Sequence, residues 1–331
     1  MALDVGQPSA RIGKVVVPWF NVAVAAMVIG VGCPQRLTPT TARDWRKPLA
    51  ANAALDPNSA NLVARFNHQW KTYYGGVGIN TGAYSIPIYT VPASQPTVSV
   101  AITPDCNADP GLVSQFRAVP IPSNAQPASG TDSALVVSQP STDTEWELWR
   151  AQHLADGSWT ACWGGRMTHV SRSSGVFPSP YGLSASGLSY LATTVKISEL
   201  QAGQIRHPLA VSVIDAAAGV QVPPANRNDG NSIAGDAIPE GTRFRLDPTL
   251  DVTRLGLPPA GVTIAEALQT YGMVVTDTSG AVAITAEDGQ PYIASGKRDP
   301  YASLFGSTPA YAILSKIPWN HLEAIAPGRP G

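Results

Sequence analysis

The chain has 331 residues, with Lys+Arg 22 against Asp+Glu 23 and a formal net charge of -1. That balance argues against a polyanion-binding surface, so nucleic acid is not an expected partner. Charged residues make up 14% of the chain, against roughly 25% in an ordinary soluble domain, while 44% hydrophobic residues supply a core and 30 Gly with 30 Pro point to short elements and many turns.

Residues 15–32 read VVVPWFNVAVAAMVIGVG, without a charge, preceded by Arg11 and Lys14 and followed at once by Cys33. A positive flank, an apolar centre and small residues before a cleavage point are the three parts of a secretory signal. Residues 1–35 are therefore expected to be a signal peptide or membrane anchor, the protein to be exported to the envelope or medium, and membrane contact to run only through this segment. Cys33, directly after Gly32, fits a lipoprotein signal in which that Cys is acylated. A single-pass anchor competes, since about 18 apolar residues suffice to span a bilayer, and a buried core segment is the plainest alternative.

From residue 36 to 331 the pattern predicts a single, mainly β domain, a β-sandwich or jelly roll with one or two short helices. Asp56-Pro57 opens a helix with Leu62, Val63 and Phe66 on its apolar side. Short runs follow, YSIPIYTV and TVSVAI, with alternation in Val98, Val100 and Ile102. ALVVSQ and TEWELWRAQ flank the turn residues Pro140 and Ser141, and Asp156-Gly157 predicts a hairpin within WELWRAQHLADGSWTACW. Residues 175–187 are too rich in Gly, Pro and Ser for regular structure and are expected to form a loop over one face. ATTVKI, HPLAVSVI and TRFRLD read as strands. Thr263 and Glu266 make a capping box for a helix over residues 263–271 that Gly272 can end. MVVTDTSGAVAIT reads as a hairpin turning at Ser279-Gly280. No 20- to 50-residue period repeats, which argues against solenoids and propellers.

Three cysteines occur. With Cys33 taken by lipid or removed, Cys106 and Cys162 remain, and an oxidising compartment would favour a disulfide between them. Two separate buried thiols are the alternative. No CxxC or Cys/His spacing implies zinc, and no metal or cofactor is expected.

GLSYLATTVKISELQAGQIRHPLAVSV, QVPPANRNDG, IPEGTRFRLDPTLD and EALQTYGMVVTDTSGAVAIT resemble, in that order, segments of a widespread, mostly uncharacterised family of exported bacterial, largely actinobacterial, β-sandwich or jelly-roll proteins. DWRKPL at 44–49 is similar to the family's WNTP-like segment, and ELW at 147–149 to its ELY-type element. The resemblance covers roughly residues 40–320 and implies no established activity. It marks His207, in IRH, as a family position. Many members carry a His shortly after the Asp that matches Asp132, where this chain has Ser133 and Ala134.

Asp143, Glu145 and Glu147 alternate in DTEWELW, so in a strand all three carboxylates would line one face, with Trp146 and Leu148 on the other. Residues two apart in a strand have Cα atoms roughly 6.5–7 Å apart, and neighbouring carboxylates on one face repel, which raises the pKa of at least one and permits an acid and base pair for glycoside hydrolysis of either stereochemical outcome. The spacing is similar to the acidic strand of jelly-roll endoglycanases such as laminarinases and agarases, which carry E-x-D-x-x-E. The competing reading is a solvated outer face of an edge strand. Trp146, Trp149, Trp159 and Trp163 fall close together; Trp146, Trp159 and Trp163 are candidates to stack on sugar rings, with core packing as the alternative. His207 is a candidate general base or a hydrogen-bonded structural residue. NRNDGN at 226–231 reads as a turn, or as a calcium loop lacking most of its ligands. The expected partner is a polysaccharide or cell-envelope glycan, either bound or processed by a glycoside hydrolase; a non-catalytic glycan binder and a structural surface or virion protein are the alternatives.

Overall fold

The structure, a computed structural model, describes residues 44–328. The segment expected to be a signal or anchor, with Cys33, lies outside them. The first long element, α1 (Ser59–Thr72), forms as the apolar spacing predicts and buries Leu62, Val63 and Phe66. It is followed by β1 (Gly78–Asn80), β2 (Ile88–Thr90) and β3 (Val100–Ile102). Asp109 caps α2 (Pro110–Gln115) by accepting from the Leu112 N–H, with Pro at the first turn. Then come β4 (Leu135–Gln139), β5 (Thr144–Trp149), β6 (Gln152–His153), β7 (Trp159–Ala161) and β8 (Trp163–Thr168). Short helices α3 (Tyr190–Thr193) and α4 (Ile197–Ala202) occupy the place of the expected strand ATTVKI. Ser189 caps the first of them by accepting from the Ala192 N–H, and Ser is favoured at such caps.

The last third carries β9 (Leu209–Val213), β10 (Ala216–Gln221), β11 (Ile238–Glu240), β12 (Arg243–Leu246), α5 (Pro259–Thr270), β13 (Met273–Thr278), β14 (Ala283–Thr285), α6 (Gln290–Ala294), α7 (Tyr301–Leu304) and β15 (Leu322–Ile325). The expected capping box at Thr263 is corrected: α5 begins at Pro259, and Thr263 lies inside it, donating from Oγ1 to the Pro259 carbonyl. Proline at the first position starts the helix earlier. Gly272 ends it at φ +72°, in the left-handed region, as predicted.

The chain is mainly β. Among the described residues, fifteen strands fall into four sheets and seven α-helices accompany them, rather than one or two. The six-stranded sheet has the order β1-β14-β9-β13-β12-β15 and is mixed, β9 running parallel to β13 and antiparallel to β14. The hairpin expected at Ser279-Gly280 is thereby corrected. Its arms flank β9 instead of pairing with each other, and β9, buried at every position, takes the central place between them. The four-stranded sheet is β2-β4-β5-β8 and the three-stranded sheet β3-β7-β6. Only β6 and β7 form the predicted Asp156-Gly157 hairpin; β5 pairs with β8, so the run from Trp146 to Trp163 is divided between two sheets.

Alternation decides how these sheets layer. Leu209, Val211 and Val213 of β9, with Met273 and Val275 of β13, enter the large core beneath α1 and α5. Leu135, Val137, Trp146 and Leu148 enter a second core shared with β3 and β7. The opposite faces meet each other: Ala210 from the six-stranded sheet packs with Ile88, Val136 and Tyr190. This smaller cluster joins residues of the two sheets, and the site lies at that seam. Cys106 and Cys162 form a disulfide, S–S 2.08 Å, that ties the loop after β3 to the joint between β7 and β8.

Candidate functional site

A cleft of about 750 Å3 opens at the seam, near the upper end of the roughly 300–1,000 Å3 typical of ligand pockets. Asp132, Asp229 and Asp277 line it together with Trp149, Trp163 and Tyr190. Asp277 is supplied by a departure from strand regularity. Val275 pairs with Val211 but Asp277 pairs with Ser212, so one extra residue bulges at Thr276. Without it Asp277 would share parity with Met273 and Val275 and point into the apolar core. The bulge moves it to the face of Ser212, which also lines the cleft.

Asp277 accepts from the Thr278 N–H at 2.9 Å, the Ala185 N–H at 3.3 Å and the Tyr190 hydroxyl at 3.1 Å. Burial, reinforced by the Asp229 carboxylate, pushes its carboxyl up to about 7. It is therefore poised to hold or release a proton near neutral pH. Asp229 accepts from Thr278 Oγ1 on both oxygens at 3.1 Å, and its main-chain N–H donates to Glu240 Oε1 at 3.3 Å. Glu240 is fully buried, and burial together with the neighbouring Asp229 and Asp277 pushes it up to about 10, so it is neutral. Asp132 accepts from Trp149 Nε1 at 3.1 Å, which fixes the indole against the cleft wall.

Arg227 is the cation of the cleft. Its Nη1 donates to the Pro180 carbonyl at 2.7 Å and its Nη2 to the carbonyls of Gly182 and Ser184. The guanidinium thus fastens the segment 180–184 over the seam. Its charge also faces Asp277, Glu147, Glu240 and Asp229, while burial lowers its own pKa.

The predicted candidates separate into three groups. Glu145 and Glu147 share a face, as alternation requires, and lie wholly buried. Glu147 accepts from the N–H groups of Tyr190 at 2.6 Å, Leu183 at 3.1 Å and Leu191 at 3.4 Å, a fixed set of donors from the start of α3 and the loop before it. Burial pushes both carboxyls up; at Glu145 the charge of Glu147 adds to it. Glu145 is pushed the further of the two, because it lacks the three main-chain N–H donors that hold Glu147 down. The pair sits behind the cleft wall rather than in it.

Asp143 is corrected. It precedes β5 in the left-handed conformation, φ 50°, and binds the Ser171 N–H and hydroxyl, each at 2.8 Å. Those bonds hold its carboxyl below the ordinary range, on the surface and away from the two Glu residues. His207 lies between Glu199, 3.0 Å from its Nε2, and the Pro208 carbonyl, 2.9 Å from its Nδ1, so both ring nitrogens are occupied outside the cleft. Trp146 and Trp159 are core residues, the latter stacked under His153 at 4.5 Å. Trp163 does line the cleft, its ring stacked on Tyr181 at 6.1 Å. Among the described residues no group of three or more His, Cys, Asp or Glu is arranged to hold a metal ion, and no helix is long and apolar enough to cross a membrane.

Asp277, Tyr190 and Arg227 were not singled out by sequence reasoning. The parity of β13 hides Asp277, and Tyr190 and Arg227 lie in segments, GLSYLATT and NRNDGN, whose spacing points to neither residue as part of a site. The TDT and NRND segments, both acidic and flanked by turn residues, were the available signals. Comparison of the chain with family models, curated proteins and solved structures gives no match.

Proposed function

We propose that the seam cleft binds a neutral polysaccharide and processes it as a glycoside hydrolase, with Asp277 as general acid and Asp132 supplying the second carboxyl group. The observation that carries this reading is Asp277 itself: a carboxyl held by Tyr190 and two main-chain N–H groups, titrating near 7, in a cleft walled by Trp149 and Trp163. Glycosidic cleavage needs one carboxylic acid to protonate the leaving oxygen and another to act on the far side of the sugar ring. Aromatic faces supply the stacking surface that sugar rings use. The same reading takes residues 1–35 as an export signal or anchor with Cys33 as its lipid-attachment point, places the chain within the exported actinobacterial family it resembles, and regards the stacked sheets as its sandwich.

The test is turnover and retention on laminarin, xylan and arabinogalactan for the wild type and for Asp277→Asn. Turnover lost with retention kept supports the hydrolase. Retention without turnover in the wild type replaces it with a binding module, and neither property in the wild type leaves a structural surface protein.

A further inference from the structure

Two tyrosines stand at the cleft with no part in the chemistry above. Tyr74 is 84% exposed and Tyr84 48% exposed, far more than other aromatic side chains of the cleft such as Trp149, Trp163 and Tyr190. Both hold the left-handed backbone conformation, φ 63° and 59°, which bulky residues rarely adopt and which carries a backbone cost at each position. Neither conformation is compensated by burial of the ring. Tyr84 is nonetheless fixed: its N–H donates to the Ser129 carbonyl at 2.9 Å and its ring lies against Gly130, where a Cβ would come within 2.9 Å of the ring carbon Cε1. Asn80, also in the lining, donates from Nδ2 to the Tyr84 carbonyl at 3.4 Å.

The two tyrosines come from the segments flanking β1, on the side of the six-stranded sheet, whereas Trp149 and Trp163 belong to the four-stranded sheet. Aromatic faces therefore approach the cleft from both sheets. Backbone strain retained to present an exposed ring is a pattern of binding surfaces rather than of packing. A flat ring beside amide and carboxyl groups matches a sugar, whose apolar face stacks while its hydroxyl edge takes hydrogen bonds.

We propose that Tyr74 and Tyr84 form an outer sugar subsite, so that the cleft engages the interior of a long polysaccharide and discriminates against short fragments. The inference rests on the polysaccharide reading of the cleft and deepens it to substrate length. The subsite contributes only when the bound chain is long enough to reach from Asp277 to the tyrosines. Removing the rings should then weaken long ligands and leave short ones alone.

The experiment compares wild type, Tyr74→Ala, Tyr84→Ala, the double variant and Tyr84→Phe by calorimetric titration. The probes are the polymer the wild type retains from the laminarin, xylan and arabinogalactan panel, and its disaccharide. Expected for the double variant is about tenfold weaker binding of the polymer, the scale of truncating an aromatic anchor, with unchanged affinity for the disaccharide; Tyr84→Phe, which keeps the ring, should behave as wild type. A polymer affinity unchanged in the double variant, or an equal loss for polymer and disaccharide, overturns the subsite while leaving the polysaccharide reading standing. Retention of no polymer by the wild type overturns that reading, and the subsite with it. Tyr74→Ala, at an exposed position, keeps the comparison valid should Tyr84→Ala fail to fold.

Discussion

Glu147 Oε1 lies 2.6 Å from the main-chain nitrogen of Tyr190, and this bond joins two acid sites that never touch. The same tyrosine donates its hydroxyl to Asp277 at 3.1 Å. A buried carboxylate behind the wall thus positions the residue that steadies the carboxyl in front of it.

Replacing Glu147 with Gln turns one of its acceptor oxygens into a donor facing main-chain N–H groups. Leaving such groups unsatisfied costs about 1–3 kcal/mol. Glu147→Gln should lose that much stability in urea denaturation at pH 7. Glu145→Gln replaces a carboxyl that burial pushes far up, so it should leave stability nearly unchanged at pH 5 and raise it at pH 8, where the unfolded wild-type chain has released the proton that the folded state holds. Equal losses for the two variants would remove the distinction drawn between them.

Tyr190→Phe tests the front of the same connection. A hydrogen bond to an ionised carboxylate favours the charged form, and this one lowers Asp277 against the effect of burial. Its removal should move the Asp277 titration further above about 7, displacing the upper limb of the pH profile to higher pH. Carboxyl chemical shifts followed through a pH series measure the displacement directly; a shift downward or none contradicts the assignment.

Stability should depend on pH in the unusual direction for a carboxyl-rich protein. Glu147 and Glu287 are each pushed up to about 7 by burial, so between about pH 4.5 and 7 the folded state holds protons that the unfolded chain releases. Stability from these groups is present below that window and declines as pH rises through it. The surface acids Asp109, Asp143, Asp156 and Asp247 are shifted the other way and lose their contribution only at lower pH, below the ordinary carboxyl range. These two groups alone should lower the unfolding free energy by about 5 kcal/mol between pH 5 and pH 8, and Asp277 and Glu240, also raised by burial, act in the same direction. A flat or rising profile would count against it.

The Cys106–Cys162 bond closes a loop with a sequence separation of 56. Chain-entropy loss in the unfolded state gives about 4 kcal/mol for a loop of this size. The double variant Cys106→Ser with Cys162→Ser should lose roughly 2–4 kcal/mol by denaturant titration. The second core should suffer first, because Val100, Trp159 and Ala161 lie beside the bridge.

Local chemistry was legible in the sequence where neighbours in the chain are neighbours in space. The face of α1, the Asp156-Gly157 turn and the opposite parity of Trp146 and Glu147 all follow from short-range spacing. Pairing was not. MVVT and AVAIT meet every local requirement of a hairpin, yet β9, far upstream, lies between them. Trp159 and Trp163 share parity but belong to different sheets, because the chain crosses over at Cys162. Asp277 was invisible for a sharper reason: strict alternation assigns it to the core, and only the pairing to Ser212 reveals the extra residue that turns it outward.

The order of strands also bears on how the molecule is made. The four-stranded and three-stranded sheets draw only on residues 88–168, a local stretch. The six-stranded sheet sets β1, near residue 78, beside β14, near 283, and finishes with β15 at 322–325. During synthesis the local sheets can therefore form while most of the other sheet is still awaited, and long-range pairing sets its pace. Until residues 183–191 arrive with the N–H groups that bind Glu147, the middle-layer face of the early sheets, Glu145 and Glu147 included, has nothing to cover it. The nascent chain thus carries two ordinary solvated carboxylates that acquire their altered acidity only when the later half closes over them.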